Sequence, residues 1–184
     1  MAVIYLIRHG ETDGNRSYYI GRRDLPLNST GKAQADALAG QLADFPIRQI
    51  FSSPLLRARQ TAQPLAEMLG LPIAEDVRLV EFDFGDLQDL PKEGHALNLR
   101  KDHQREPVAG GESLLAVWNR LTPFATSLRS GGAGAGDIAV VGHYWSNRLL
   151  HGLLHGLSFD ETLLVRDFKP QNGTAEAISF RFGA

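Results

Sequence analysis

The chain has 184 residues, 43% hydrophobic and 22% charged, which is the balance of a globular protein long enough to bury a substantial core. A formal net charge of −2 excludes any general attraction to nucleic acid or to an anionic membrane, so an anion-binding surface has to be local. The absence of cysteine excludes a disulfide, a thiolate nucleophile and a cysteine-ligated metal and fits the cytoplasm, while the opening apolar run is too short for a membrane span or a secretory leader.

In chain order, the apolar and β-branched run Val3 to Ile7 predicts a strand. It delivers Arg8 and His9 to the point where the pattern breaks into Gly10, Glu11 and Thr12. A polar loop follows, and a helix is predicted from about Thr30 to Asp44, with Ala33, Ala37, Leu38 and Leu42 on its inner face. Ile47 to Ser52 reads as a second strand. Ser53-Pro54 then predicts a helix start, a capping serine with proline at the first helical position, and that helix runs to Leu69 with Gly70 as its stop. Arg78 to Glu81 reads as a short extended piece, and the segment 82–111 as an excursion covering one end of the sheet.

Leu114, Val117, Trp118, Leu121, Ala125 and Leu128 keep helical spacing, with a kink expected at Pro123. The glycine-rich run Gly131 to Gly136 neither follows a strand nor opens a helix, so it reads as a connector and not as a nucleotide-binding loop. Asp137 to Gly142 is a third apolar strand, ending in His143. A helix from about Trp145 to His155 and two strands, near Thr162–Arg166 and Thr174–Phe182, complete the series. The alternation predicts an α/β fold with a mostly parallel central sheet flanked by helices, in a single domain over 1–184.

Two strands therefore end in histidine. In a mostly parallel sheet both ends lie on one edge, where open α/β sheets bind ligands. Arginine offers phosphate a planar fork of donors, and neutral histidine is a nucleophile, so Arg8 and His9 together carry both requirements of phosphoryl transfer. Arg57 falls in the first turn of a helix that also follows a strand, where unpaired backbone N–H groups and partial positive charge favour an anion. Arg59 reads as a solvated neighbour. His151 and His155, four apart on a helix, make half a metal site; without a third ligand of suitable spacing they read as structural or surface residues.

Arg8-His9-Gly10-Glu11-Thr12 with Asn15, followed by Gly21, Asp24, Leu27, Gly31 and Gln34-Ala35, resembles the opening of the histidine phosphatase superfamily, the phosphoglycerate mutase-like family. Ser52 to Ala62 resembles its second motif, Leu79-Val80-Glu81 with Gly85 its third, Gly111-Glu112-Ser113 a fourth, and Val140-Val141-Gly142-His143 with Arg148 its last. The resemblance implies a three-layer sandwich and a metal-independent phosphomonoester hydrolase that needs no cofactor. It implies His9 as a nucleophile that becomes phosphohistidine, Arg8, Arg57 and His143 as ligands of the phosphoryl oxygens, and Glu81 as proton donor to the leaving oxygen. Around these, Asn15 either bonds a phosphate oxygen or caps its loop, and Thr12 and Glu11 either touch phosphate or orient its ligands. Gly10 permits close backbone approach. Arg22 or Arg23 meets a second anionic group.

The chain departs from the family pattern on the leaving-group side. Tyr144 and Trp145 follow the second histidine where small residues are common, and Gly85-Asp86-Leu87-Gln88 replaces an aromatic-acid-glycine element. The two aromatics either narrow the pocket and offer a stacking face with a phenolic hydrogen bond, or belong to the core. The expected substrate is a small phosphorylated metabolite, with no nucleic acid and no membrane as partner. A cofactor-dependent phosphoglycerate mutase and a protein-directed phosphatase are the alternative activities, and a catalytically silent phosphate-binding module the alternative class. The segment between Glu81 and Gly111, shorter than the insertion that encloses the intermediate in such mutases, favours hydrolysis. Sequence alone names neither the substrate nor the oligomeric state.

Overall fold

The computed structural model describes residues 2–14, 17–94, 97–131 and 136–180. Five strands, β1 (Ala2–Arg8), β2 (Ile47–Ser52), β3 (Ile73–Glu75), β4 (Asp137–Gly142) and β5 (Ala175–Phe180), form one sheet in the order β3-β2-β4-β1-β5. β1, β2, β3 and β4 run parallel, and β5 joins the edge antiparallel to β1. The helices are α1 (Ser29–Leu42), α2 (Leu56–Leu69), α3 (Leu99–Asp102), α4 (Leu114–Gly131), α5 (Tyr144–Leu154) and α6 (Phe159–Leu164).

Successive residues of a strand face opposite sides of the sheet, and here both sides are covered. Ile4, Leu6, Ile138 and Val140 pack with Leu121, Phe124 and Leu149 from α4 and α5. Tyr5, Ile7, Ala139 and Val141 pack with Leu38, Leu42, Ala62 and Leu65 from α1 and α2. The expected sheet with helices on both faces is therefore present.

Several local expectations need correction. The second helix begins at Leu56, with Leu55 as its cap, and not at Ser53-Pro54. Gly70 does end it, at φ 64° in the left-handed conformation. Arg78 to Glu81 is not extended: Val77–Leu79 is a 3-10 turn, and the edge strand lies earlier, at Ile73–Glu75. The stretch near Thr162–Arg166 is not a strand, because α6 occupies Phe159–Leu164. Its start is a capping box in which the Ser158 hydroxyl accepts from Glu161 N–H and the Glu161 carboxylate accepts from Ser158 N–H. Helix α4 continues through Pro123. Asn15 and most of the glycine-rich connector lie outside the described residues.

Candidate phosphoryl-transfer site

Parallel register builds the site. Arg8 pairs with Gly142 across β1 and β4, so the next residues, His9 and His143, emerge side by side at the carboxyl edge. Their rings lie 5.1 Å apart at 57°. β2 reaches the same edge with Ser52 beside Val141 and hands the chain to α2, whose first turn carries Arg57.

The backbone under His9 is held by close packing. A Cβ on Gly10 would stand 2.5 Å from the Gly31 carbonyl oxygen, so only glycine lets the loop cross the start of α1. Gly10 N–H donates to Thr61 Oγ1 at 2.9 Å, and the Thr61 hydroxyl donates to the Arg57 carbonyl at 2.7 Å. From far along the chain, Gly173 N–H donates to the Arg8 carbonyl at 3.0 Å, and the Asn172 side chain donates to the His9 carbonyl at 2.8 Å.

His9 is almost fully buried, and its two ring nitrogens have different partners. Nδ1 lies 2.7 Å from the Gly10 carbonyl oxygen, which can only accept, so Nδ1 carries the proton. Nε2 then keeps its lone pair and accepts from Arg57 Nε at 3.2 Å. Burial pushes the imidazole well below its ordinary pKa, and Arg57 and Arg8 push it further. The nucleophilic form is thus the resting form.

Arg57 is 1% exposed and oriented by three contacts. Besides His9, it donates from Nη1 to the Arg23 carbonyl at 2.6 Å and from Nη2 to the Gly21 carbonyl at 2.8 Å. Burial lowers its pKa to about 10, with Arg8 adding to the effect and Glu81 and Asp24 opposing it. Arg8 donates to the Pro170 carbonyl at 2.9 Å and lies over the Tyr144 ring at 5.4 Å. Its Nε is buried without a hydrogen-bond partner among the described residues.

His143 is fully buried and held neutral by burial first, then by Arg57, His9, Arg8 and Arg120. Its Nε2 meets Ser53 Oγ at 2.8 Å, and the same hydroxyl accepts from Leu55 N–H at 3.3 Å just ahead of α2. Its Nδ1 is buried without a partner among the described residues. Glu81 is buried at the start of α5, where its Oε2 accepts from Tyr144 N–H at 2.9 Å and its Oε1 from Trp145 N–H at 3.1 Å and Phe82 N–H at 2.8 Å. A helix N-terminus is a favourable seat for a carboxylate.

A cavity of about 550 Å³ opens over Arg8, His9, Arg57 and Glu81. Glu11 and Tyr144 also line it. Thr12 is buried. The Arg22 guanidinium pairs with Asp83 at 3.3 Å and Glu112 at 3.0 Å, two carboxylates distant in sequence. Arg23 pairs at the surface with Asp89, and only its carbonyl serves the site, through Arg57. Sequence reading missed Ser53, Thr61 and Asn172. Of these, only Asn172-Gly173 carried a signal, as a turn dipeptide. Among the described residues, no group of three or more His, Asp or Glu side chains is placed to hold a metal ion.

The buried histidines set a pH dependence of stability. His9 and His143 lie well below 6.5, and burial lowers His151 to about 4, where it stacks on Phe168 at 4.1 Å beside His155 and Arg148. An unfolded chain takes up protons near pH 6.5 that the folded one refuses, so stability falls as pH drops below that value. The urea midpoint is expected to be lower at pH 5 than at pH 7. His151→Gln should flatten the slope between pH 6.5 and 4, and an unchanged slope would contradict the assignment.

A model of the histidine phosphatase superfamily (branch 1) matches residues 4–181. The chain belongs to this superfamily. Among its relatives in the superfamily, the Bacillus subtilis protein named uncharacterized phosphatase PhoE is 43% identical over 94 residues, which is 50% of this chain and 49% of that one. The match therefore spans about half of that relative. Phosphoserine phosphatase 1 of Hydrogenobacter thermophilus is 31% identical over 169 residues, covering 88% of this chain and 80% of that one. A solved mycobacterial glucosyl-3-phosphoglycerate phosphatase superposes with a TM-score of 0.85 at 28% identity, over 96% of this chain and 89% of that one. Two of these proteins are named for different substrates, phosphoserine and glucosyl-3-phosphoglycerate, so the superfamily match leaves the substrate to the residues around the cavity. No helix among the described residues is long and apolar enough to cross a membrane.

Proposed function

We propose that the protein is a phosphomonoester hydrolase acting on a small phosphorylated metabolite through a phosphohistidine at His9. The observation that carries this reading is the His9 tautomer, with Nδ1 tied to the Gly10 carbonyl so that the lone pair lies on Nε2, where it accepts from Arg57 Nε. In the proposed cycle His9 Nε2 attacks phosphorus, and the P–O bond to the leaving alcohol breaks. Arg8, Arg57 and a ring N–H of His143 bind the equatorial oxygens, where negative charge is spread in the transition state. Glu81 is assigned to deliver a proton to the leaving oxygen. Water then attacks the phosphohistidine, Glu81 takes back a proton, and neutral His9 returns with release of phosphate.

Charge neutralisation is assigned to arginines and the nucleophile to an imidazole, so no step in this cycle calls for a metal ion. The proposed unit is one histidine phosphatase domain in the cytoplasm, a setting that suits a cysteine-free chain. Purified protein is expected to hydrolyse an activated aryl phosphate at an undiminished rate in excess chelator. Loss of activity on chelation would overturn the metal-independent mechanism. Interconversion of 2- and 3-phosphoglycerate faster than phosphate release would replace hydrolase by mutase.

A further inference from the structure

Beyond its phosphate-facing floor, one part of the cavity wall is aromatic, beside polar residues such as Glu11, Gln34 and Lys92. Tyr18, Tyr19 and Phe84 are contributed by the loop before α1 and the segment after Glu81, and Tyr144 and Trp145 by the start of α5. We propose that this part of the wall forms an aromatic subsite and that the substrate is a phosphomonoester whose leaving alcohol carries a planar ring. The proposal rests on the hydrolase reading for the bond that is cleaved and adds the identity of the alcohol.

Position is the first argument. The Glu81 carboxylate is hydrogen-bonded to the backbone N–H groups of Tyr144 and Trp145, so the group assigned to protonate the leaving oxygen sits at the foot of those two residues. The carbon attached to that oxygen must therefore start out beside their rings. Preorganisation is the second. Tyr144 and Trp145 stand edge to face at 5.3 Å and 88°. Arg8 backs the Tyr144 ring at 5.4 Å and Arg100 the Trp145 ring at 5.8 Å. On the segment side, Tyr19 and Phe84 pack at 5.0 Å. Rings fixed in this way take up a flat apolar group at little cost in side-chain entropy.

Exposure separates Tyr144 and Trp145 from core aromatics, whereas Phe84 belongs to the core and reaches the cavity from it. Phe82 and Phe124 are 0% and 1% exposed, whereas Tyr144 and Trp145 remain partly open and line the cavity. A cavity of about 550 Å³ is also ample for a drug-sized ligand, and a three-carbon alcohol would leave much of its apolar wall wet.

The test compares 2-phenylethyl phosphate with propyl phosphate, unactivated alkyl esters with matched chemical steps. Burial of a phenyl ring predicts that kcat/KM is about ten- to a hundredfold higher for the phenylethyl ester. Trp145→Ala should bring the ratio of the two values towards one, and Trp145→Phe should keep most of it. A ratio near one in the unmodified protein, or one that Trp145→Ala does not change, overturns the subsite while leaving hydrolysis intact. Calorimetric titration of both esters into His9→Ala protein reads the subsite without turnover. Equal affinities overturn it. Preferential binding of the phenylethyl ester by His9→Ala protein, with neither ester hydrolysed by the unmodified protein, supports the subsite and sinks the hydrolase reading instead.

Discussion

His9→Ala is expected to lower kcat/KM by at least about a thousandfold, the scale on which enzymes lose activity when a covalent nucleophile is removed. No described neighbour is placed to substitute. His143 is the adjacent imidazole, but its Nε2 is engaged by Ser53 and its ring is fully buried. Quenching the unmodified protein during turnover of a labelled ester should trap a phosphoryl group that survives base and is lost in acid, as a phosphoramidate bond requires. The alanine protein should trap none while keeping its circular dichroism spectrum. An acid-stable adduct, or activity that survives the substitution, would remove His9 from the mechanism.

Arg57→Lys carries the second-largest expected effect and separates charge from geometry. Lysine keeps the positive charge but not the fork, and one ammonium cannot replace Nε on His9, Nη1 on the Arg23 carbonyl and Nη2 on the Gly21 carbonyl at once. Losing an oriented donor to the transition state typically costs about a hundred- to a thousandfold in kcat, and Arg57→Lys is expected to fall in that range. Arg57→Gln should lose at least as much activity. It should also lose about 1–3 kcal/mol of stability in urea titrations, because buried carbonyls are left without donors. Full activity in Arg57→Lys would mean that the arginine acts only through its charge.

Much of the framework could be read from the chain because it depends on local pattern. β1, β2 and β4 are short apolar runs, and each ends at the residue that opens the site. What escaped reading depends on contacts between distant segments. Ser53 looked like a helix cap because serine before proline usually is one, but α2 starts at Leu56, and the Ser53 hydroxyl meets His143 from another strand end. The ion pairs of Arg22 with Asp83 and Glu112 join residues remote in sequence and leave no local pattern to read. The error at α6 was of a different kind: its capping box was present in the sequence, and the short leucine- and valine-rich run after it was given too much weight as a strand.

The placement of β1 between β4 and β5 has a consequence for how the protein is made. The strand that carries Arg8 and His9 is made before either of its sheet partners, both of which are encoded far downstream of it. Until β4 emerges, β1 has no neighbour in the sheet, and the clamp from Asn172 and Gly173 on the His9 loop arrives later still. Pairings of such long sequence separation form slowly and expose unpaired strand edges while they wait. A nascent chain halted before β4 holds the nucleophile and Arg57 but has no site, so catalytic competence waits for β4 and then for the segment that carries Asn172 and Gly173.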